Sequence, residues 1–224
     1  MSETPPQRTY LRRRGRMTRG QHRALDELAE NRVHTVGEQT ASWSEIFGRV
    51  APLGVEIGFG MGQALLSWTQ QQPDWNLLGI EVYQPGIGAL LLGAQRDGLN
   101  NLQVLEGDAE LAFEANIASD SLDEVRIFFP DPWPKKRHHK RRLVQPSFIK
   151  LLASRLKPGG RLLLATDWQP YAEWMLEVLN GEPELENLAP EGFAQRASER
   201  VITRFEARGT RLGHDVWDLA FRRL

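Results

Sequence analysis

Gly54-Val55-Glu56-Ile57-Gly58-Phe59-Gly60-Met61-Gly62 is a short apolar run that carries one acid and breaks into alternating glycines. Residues 54–60 read as a buried strand running into a turn where glycines admit positive φ and let a ligand approach the backbone. Gln63–Gln72 follows as a helix, with Ala64, Leu65 and Trp68 on one face. A strand, a glycine turn and a helix in succession open an α/β unit. A dinucleotide fingerprint has the spacing G-x-G-x-x-G, whereas here it is E-x-G-x-G-x-G. Glu56, inside the strand, would oppose a pyrophosphate and attract a cation. S-adenosylmethionine is such a ligand, with its sulfonium and amino group. A plain strand-to-helix turn remains the alternative.

The same alternation continues outward. Strands are expected over Asn76–Val82, Leu102–Glu106, Leu122–Phe129 and Arg161–Thr166, and helices over Gly86–Gly98, Pro146–Leu156 and Tyr171–Leu179. Lys157-Pro158-Gly159-Gly160 reads as a stop, and Thr203–Leu224 as two strands around Gly209 to Gly213. Near-continuous apolar strands between helices imply a mostly parallel sheet covered on both faces. Ligands on such sheets sit beyond the carboxyl ends of the strands. Gly58–Gly62, Glu81, Asp108, Asp131 and Asp167 each fall at such an end, so they are expected along one edge.

Glu81 there suits two ribose hydroxyls, or serves as an acid ahead of a helix. Asp108 suits an adenine amino group, or caps the segment at Ala109–Glu114. The most specific stretch is Phe128-Phe129-Pro130-Asp131-Pro132-Trp133-Pro134 followed by 135–142, KKRHHKRR. Three prolines stiffen the turn and hold Asp131 between two of them. Trp133 offers a flat surface for a base, and the basic run suits phosphates. A solvated basic loop is the bland alternative. Adjacent His138 and His139, crowded by cations, make a poor metal site, and no metal is expected.

The composition agrees once it is divided. The net charge is −1, yet residues 1–23 hold seven Arg and one acid, residues 135–142 hold six Lys/Arg and no acid, and the remainder carries 15 basic and 28 acidic residues. An acidic body with two basic segments fits a polyanionic partner. Apolar content of 41% and charged content of 25% suit one soluble domain. No apolar run approaches a membrane span. The start lacks a secretory segment and is a poor transit peptide. Zero Cys removes disulfides, thiolate metal sites and Cys nucleophiles, and fits a reducing compartment.

With these stretches in view, the chain resembles the bacterial tRNA (guanine-N7-)-methyltransferases. The shared blocks are EIGFGMG, GIEV, EGDA, FFPDPWPKKRHHKRRL, ATDW and the Thr203-Arg204-Phe205-Glu206 region, with an Arg-rich start. The likeness runs from about Tyr10 to the C-terminus. It implies a Rossmann-like class I methyltransferase, with a seven-stranded, mostly parallel sheet, an antiparallel last strand and helices on both faces. Residues 1–25 are then a basic flexible tail and 26–224 one methyltransferase domain. The implied activity is methyl transfer from S-adenosylmethionine to N7 of a tRNA guanine, with S-adenosylhomocysteine as by-product. The family substrate is guanosine 46 of the variable loop.

The resemblance assigns cofactor contacts to Glu56, Gly58, Gly60, Glu81, Asp108 and Asp131, with Asp131 also the active-site residue. It assigns substrate contacts to Lys135, Asp167, Thr203, Arg204, Phe205 and Glu206. RNA contacts fall to Arg137, His138, His139, Lys140, Arg141 and Arg142. A cytoplasmic place, no membrane, and either a monomer or a homodimer are expected. A methyltransferase for small molecules or proteins, a non-catalytic RNA-binding module and a dehydrogenase are the competing readings. The basic run, the intact acid–glycine set and the glycine spacing oppose them in turn.

Overall fold

The computed structural model describes residues 15–38, 41–189, 192–196, 206 and 215–224. At its centre β2 (Leu53–Ile57) pairs in parallel with β3 (Asn76–Glu81) on one side and β5 (Leu122–Phe128) on the other. β4 (Leu102–Glu106) extends the sheet beyond β3, and β6 (Leu156–Thr166) extends it beyond β5. β8 (Trp217–Arg223) joins β6 antiparallel, and β7 (Leu185–Asn187) closes that edge. With β1 (Val33–Thr35) the order is β1-β4-β3-β2-β5-β6-β8-β7. After β4 the chain crosses back to the far side of β2, so the order reverses between β2 and β5. The crevice beyond their carboxyl ends is the switch point at which such sheets bind ligands.

Helices cover both faces. Against one lie α3 (Gln63–Gln71) and α4 (Gln84–Arg96), around Leu65, Trp68, Leu77, Ile87 and Leu90. The larger core on the other face includes Val55, Leu78, Phe113 of α5 (Ala109–Ala115), Phe148 of α6 (Pro146–Arg155) and Tyr171 of α7 (Gln169–Asn180). Gly54 is needed for the α3 packing. A Cβ there would stand 2.4 Å from the Trp68 ring, a separation no real side chain tolerates.

The expected fold class holds, with three differences in detail. The sheet has eight strands among the described residues, not seven. Two of them are additional to those expected, β7 and β1, each three residues long, and β1 reads as no strand by itself. Tertiary bonds recruit it, with Val104 N–H donating to Arg32 O at 2.8 Å and Arg32 Nη1 to Leu99 O at 2.8 Å. The expected tail boundary after residue 25 falls inside α1 (Arg19–Leu28). Thr18 and Gln21 form a reciprocal capping box there, Ala24 is buried, and Gln21 Nε2 donates to Pro85 O at 3.0 Å. Those contacts with α4 and its start make residues 19–25 part of the domain. Finally, α6 ends at Arg155, ahead of Lys157–Gly160 as the stop implies, but the next strand begins at Leu156 and not at Arg161. The backbone enters β6 directly at Leu156, with a register shift opposite Leu122/Glu124 and Gly159 at φ 83°.

α2 (Trp43–Phe47) is a short capped helix that the apolar spacing does not reveal. Of the two C-terminal strands expected, β8 is present. The other lies outside the described residues except for Glu206, which is helical.

Candidate active site

Gly58, Gly60 and Gly62 all take positive φ, at 70°, 56° and 81°. A Cβ on Gly58 or Gly60 would meet nothing within 4 Å. Glycine is therefore required by backbone conformation, and the space above it is open. The loop is pinned below, with Gly58 N–H donating to Ile80 O at 2.8 Å and Gly60 N–H to Glu81 Oε2 at 2.8 Å.

Glu56 lies just before this loop and is 3% exposed. Its Oε2 is fully buried without a hydrogen-bond partner, and among the described residues the carboxylate accepts none. Burial pushes its pKa up to about 7 from an ordinary 4.5, the Arg126 guanidinium pulls it back, and Glu81 adds to the rise. Arg126 is the register partner of Glu56 across β2–β5. Its guanidinium sits 3.7 Å from the Trp68 ring centroid, and its Nε donates to Glu124 at 2.6 Å. Glu124 also pairs with Arg161. Arg126 is thus committed to Glu124 and Trp68, which leaves Glu56 a buried acid in want of a cation. A buried group of this kind is costly unless something pairs with it. A cationic group on a ligand would supply that partner, and the space beside Gly58 and Gly60 is open.

Glu81 accepts three backbone N–H groups, from Gly60 at 2.8 Å, Val82 at 2.8 Å and Tyr83 at 3.1 Å. It therefore shapes the glycine loop and the turn that leads into α4. Asp108 caps α5 through Oδ1, which accepts from Glu110 N at 2.9 Å and Leu111 N at 3.3 Å. Its Oδ2 accepts no bond among the described residues, so the cap leaves one carboxylate oxygen open.

The β5 exit is strained. Phe129 and Trp133 have φ of 52° and 45°, a conformation rare for bulky side chains and costing about 1–3 kcal/mol each. Phe129 N–H donates to Ala165 O at 2.8 Å, tying the turn to β6. Asp131 sits midway between the two strained residues. Trp133 corrects the sequence reading. It is 7% exposed, its ring meets His138 edge-on at 5.7 Å and Arg141 at 5.0 Å, and it anchors the loop instead of offering a face to a base.

The basic run forms a short 3-10 helix, Lys136–Arg141. Lys135, Lys136, Arg137 and Lys140 are exposed, while His138, His139 and Arg141 are half-buried. Arg142 departs from the expected RNA contact. It is 3% exposed, and its Nε donates to Pro132 O at 3.0 Å.

On the adjacent strand end, Asp167 is half-buried and makes no hydrogen bond or ion pair among the described residues. Trp168 beside it is 37% exposed. Sequence reasoning missed this ring, although an aromatic directly after a strand-end acid was a usable signal. Thr203, Arg204 and Phe205 lie outside the described residues. Glu206 is 5% exposed and accepts from Arg196 Nε at 2.9 Å, so its carboxylate is an internal anchor before it is a substrate contact. A cavity of about 450 Å³ lined by Trp43, Leu53, Asn76 and Asn116 lies at the opposite, amino-terminal end of the strands.

The β2–β5 crevice thus brings an acid–glycine cofactor cradle beside a stiff acidic loop with cations on its outer side. Two solved structures share the fold. The aminoglycoside resistance methyltransferase NpmB1 matches with TM-score 0.55 at 16% identity, over 84% of this chain and 97% of that one. The 16S rRNA methyltransferase KamB matches with TM-score 0.55 at 18% identity, over 86% and 98%. These likenesses speak for the fold alone. A family model described as "Putative methyltransferase" matches residues 50–219.

Curated relatives named tRNA (guanine-N(7)-)-methyltransferase are similar over nearly the whole chain. The protein of Paraburkholderia xenovorans is 51% identical over 98% of this chain and 87% of its own. That of Pseudomonas fluorescens strain Pf0-1 is 50% identical over 97% and 90%. That of Burkholderia cenocepacia is 52% identical over 96% and 84%. Half the positions are shared over nearly the full length of the chain, and on that ground the chain belongs to the tRNA (guanine-N(7)-)-methyltransferase family.

Proposed function

We propose that this chain methylates N7 of a guanine in tRNA, guanosine 46 of the variable loop, using S-adenosylmethionine. The observation that carries it is the buried, unpartnered Glu56 carboxylate at the glycine cradle, one strand from a rigid acidic loop that continues into exposed cations.

Bound S-adenosylmethionine supplies an electrophilic methyl group on a sulfonium. Glu56 holds its amino group, Glu81 the ribose hydroxyls and Asp108 Oδ2 the adenine amine. Guanine N7 carries an in-plane lone pair, so the protein has no proton to remove before attack. Its task is to hold the base in line, which is worth up to about 7–11 kcal/mol in favourable cases. The methylated base is cationic, and Asp131 stabilises that charge as it develops. Asp167 accepts from guanine N1–H and the exocyclic amine, a pattern adenine does not offer. Trp168 gives the base the stacking face that buried Trp133 does not.

Lys135, Lys136, Arg137 and Lys140 receive the phosphates of tRNA. Thr203, Arg204 and Phe205 join the substrate side on the family resemblance. Incubating the chain with labelled methyl donor and either unmodified tRNA or a protein extract tests the assignment. Label in tRNA alone supports it, and label in protein overturns it.

A further inference from the structure

Arg142 ends the basic run, yet its guanidinium faces inward. Nε donates to the Pro132 carbonyl at 3.0 Å, directly after Asp131. Nη2 lies 3.2 Å from His139 Nε2. A guanidinium has no acceptor, so the imidazole nitrogen accepts and its proton sits on Nδ1. The guanidinium carbon stands 4.8 Å from the ring centroid of Tyr171 on α7. That ring is fully buried, and its hydroxyl accepts from Val144 N–H at 3.2 Å. Trp174, also on α7, donates to Val144 O at 2.7 Å, and Gln145 Nε2 donates to His139 O at 2.9 Å. One cation therefore joins the Asp131 loop, the 3-10 helix and α7.

Among the described residues Arg142 has no carboxylate partner. Burial draws its pKa down, opposed by Tyr171. A buried cation held only by a carbonyl, an imidazole and an aromatic face is expensive to keep for stability alone. The loop it braces is the one with two left-handed bulky residues, a conformation that persists only where the surroundings over-determine it.

We propose that Arg142 is a positioning residue for the Asp131 loop and takes no part in RNA contact. Its planar fork reaches the Pro132 carbonyl and His139 while stacking on Tyr171, and a lysine ammonium reproduces the charge without that geometry. The inference rests on the reading of Asp131 as the active-site acid.

The test uses the full chain with Arg142→Lys and Arg142→Gln, and with Arg137→Gln as the surface comparison. Turnover at saturation, tRNA Kd across salt, cofactor Kd and melting are measured. Arg142→Lys is expected to lower kcat by about 10–100-fold with tRNA Kd, its salt slope and cofactor Kd unchanged. Arg137→Gln is expected to lower the salt slope. Full kcat in Arg142→Lys overturns the proposal, and so does a slope lowered by about 0.7–0.9 in Arg142→Gln. An Arg142→Lys chain without a native melting transition overturns it too, because the role is then support of the whole fold. Asp131→Ala separates the two readings. Lost turnover there with full turnover in Arg142→Lys removes the brace alone, and full turnover in both removes the Asp131 assignment as well.

Discussion

Glu56 and Arg126 are register partners on β2 and β5, at the point where strand order reverses. Arg126 lies near enough to ease the charge on Glu56, but its own bond goes to Glu124. The acid is left only half-compensated by the chain itself.

The first prediction follows from that state. In the folded chain Glu56 titrates at about 7 against an ordinary 4.5. Between those values the folded chain keeps a proton the unfolded chain has lost, so stability falls as pH rises through this window and is level above it. The drop is on the order of 3 kcal/mol, a ceiling for a group that relaxes on ionising. Ligand binding needs the ionised acid, so S-adenosylhomocysteine affinity should rise with pH by up to about tenfold per unit below 7. Calorimetry on the native chain and Glu56→Gln checks this. The variant should bind weakly, and its stability should no longer show the slope.

Asp131→Ala should lower turnover on the order of 100-fold or more while tRNA still binds. Single-turnover kinetics beside a tRNA binding curve separates the two effects. Full turnover would remove the assigned role.

Neutralising Lys136, Arg137 and Lys140 should weaken tRNA binding and lower the log–log salt slope by about 0.7–0.9 for each phosphate left without its cation. These three side chains are exposed in the structure. A slope unchanged in the triple variant would mean the 3-10 helix does not meet RNA.

Trp168→Ala should weaken productive tRNA binding by about 1–3 kcal/mol, with Trp168→Phe keeping most of it. KM for tRNA measured on both variants decides. Equal values for native chain and Trp168→Ala would leave the exposed ring without a role in stacking.

Much of this was legible in the chain because strand ends announce themselves. Glycines at 58, 60 and 62 and acids at 56, 81 and 108 lie where apolar runs stop, and parallel pairing then carries them to one edge. The sequence could not show which cations face outward. Arg137 and Arg142 are the same residue type five positions apart, and only the Pro132 carbonyl and the Tyr171 ring, from other segments, turn one of them inward. Trp133 and Trp168 differ for the same reason. Burial of an aromatic depends on what packs over it, here His138 and Arg141 over Trp133. The capping box at Thr18 and Gln21 was readable, but the Arg-rich composition around it drew residues 19–25 into an expected tail.

Nucleoside analysis of unmodified tRNA treated with this chain and S-adenosylmethionine tests the central claim most directly. The predicted product is 7-methylguanosine, absent when guanosine 46 is replaced. No methylated nucleoside, or methylation at another guanine atom or base, would contradict it.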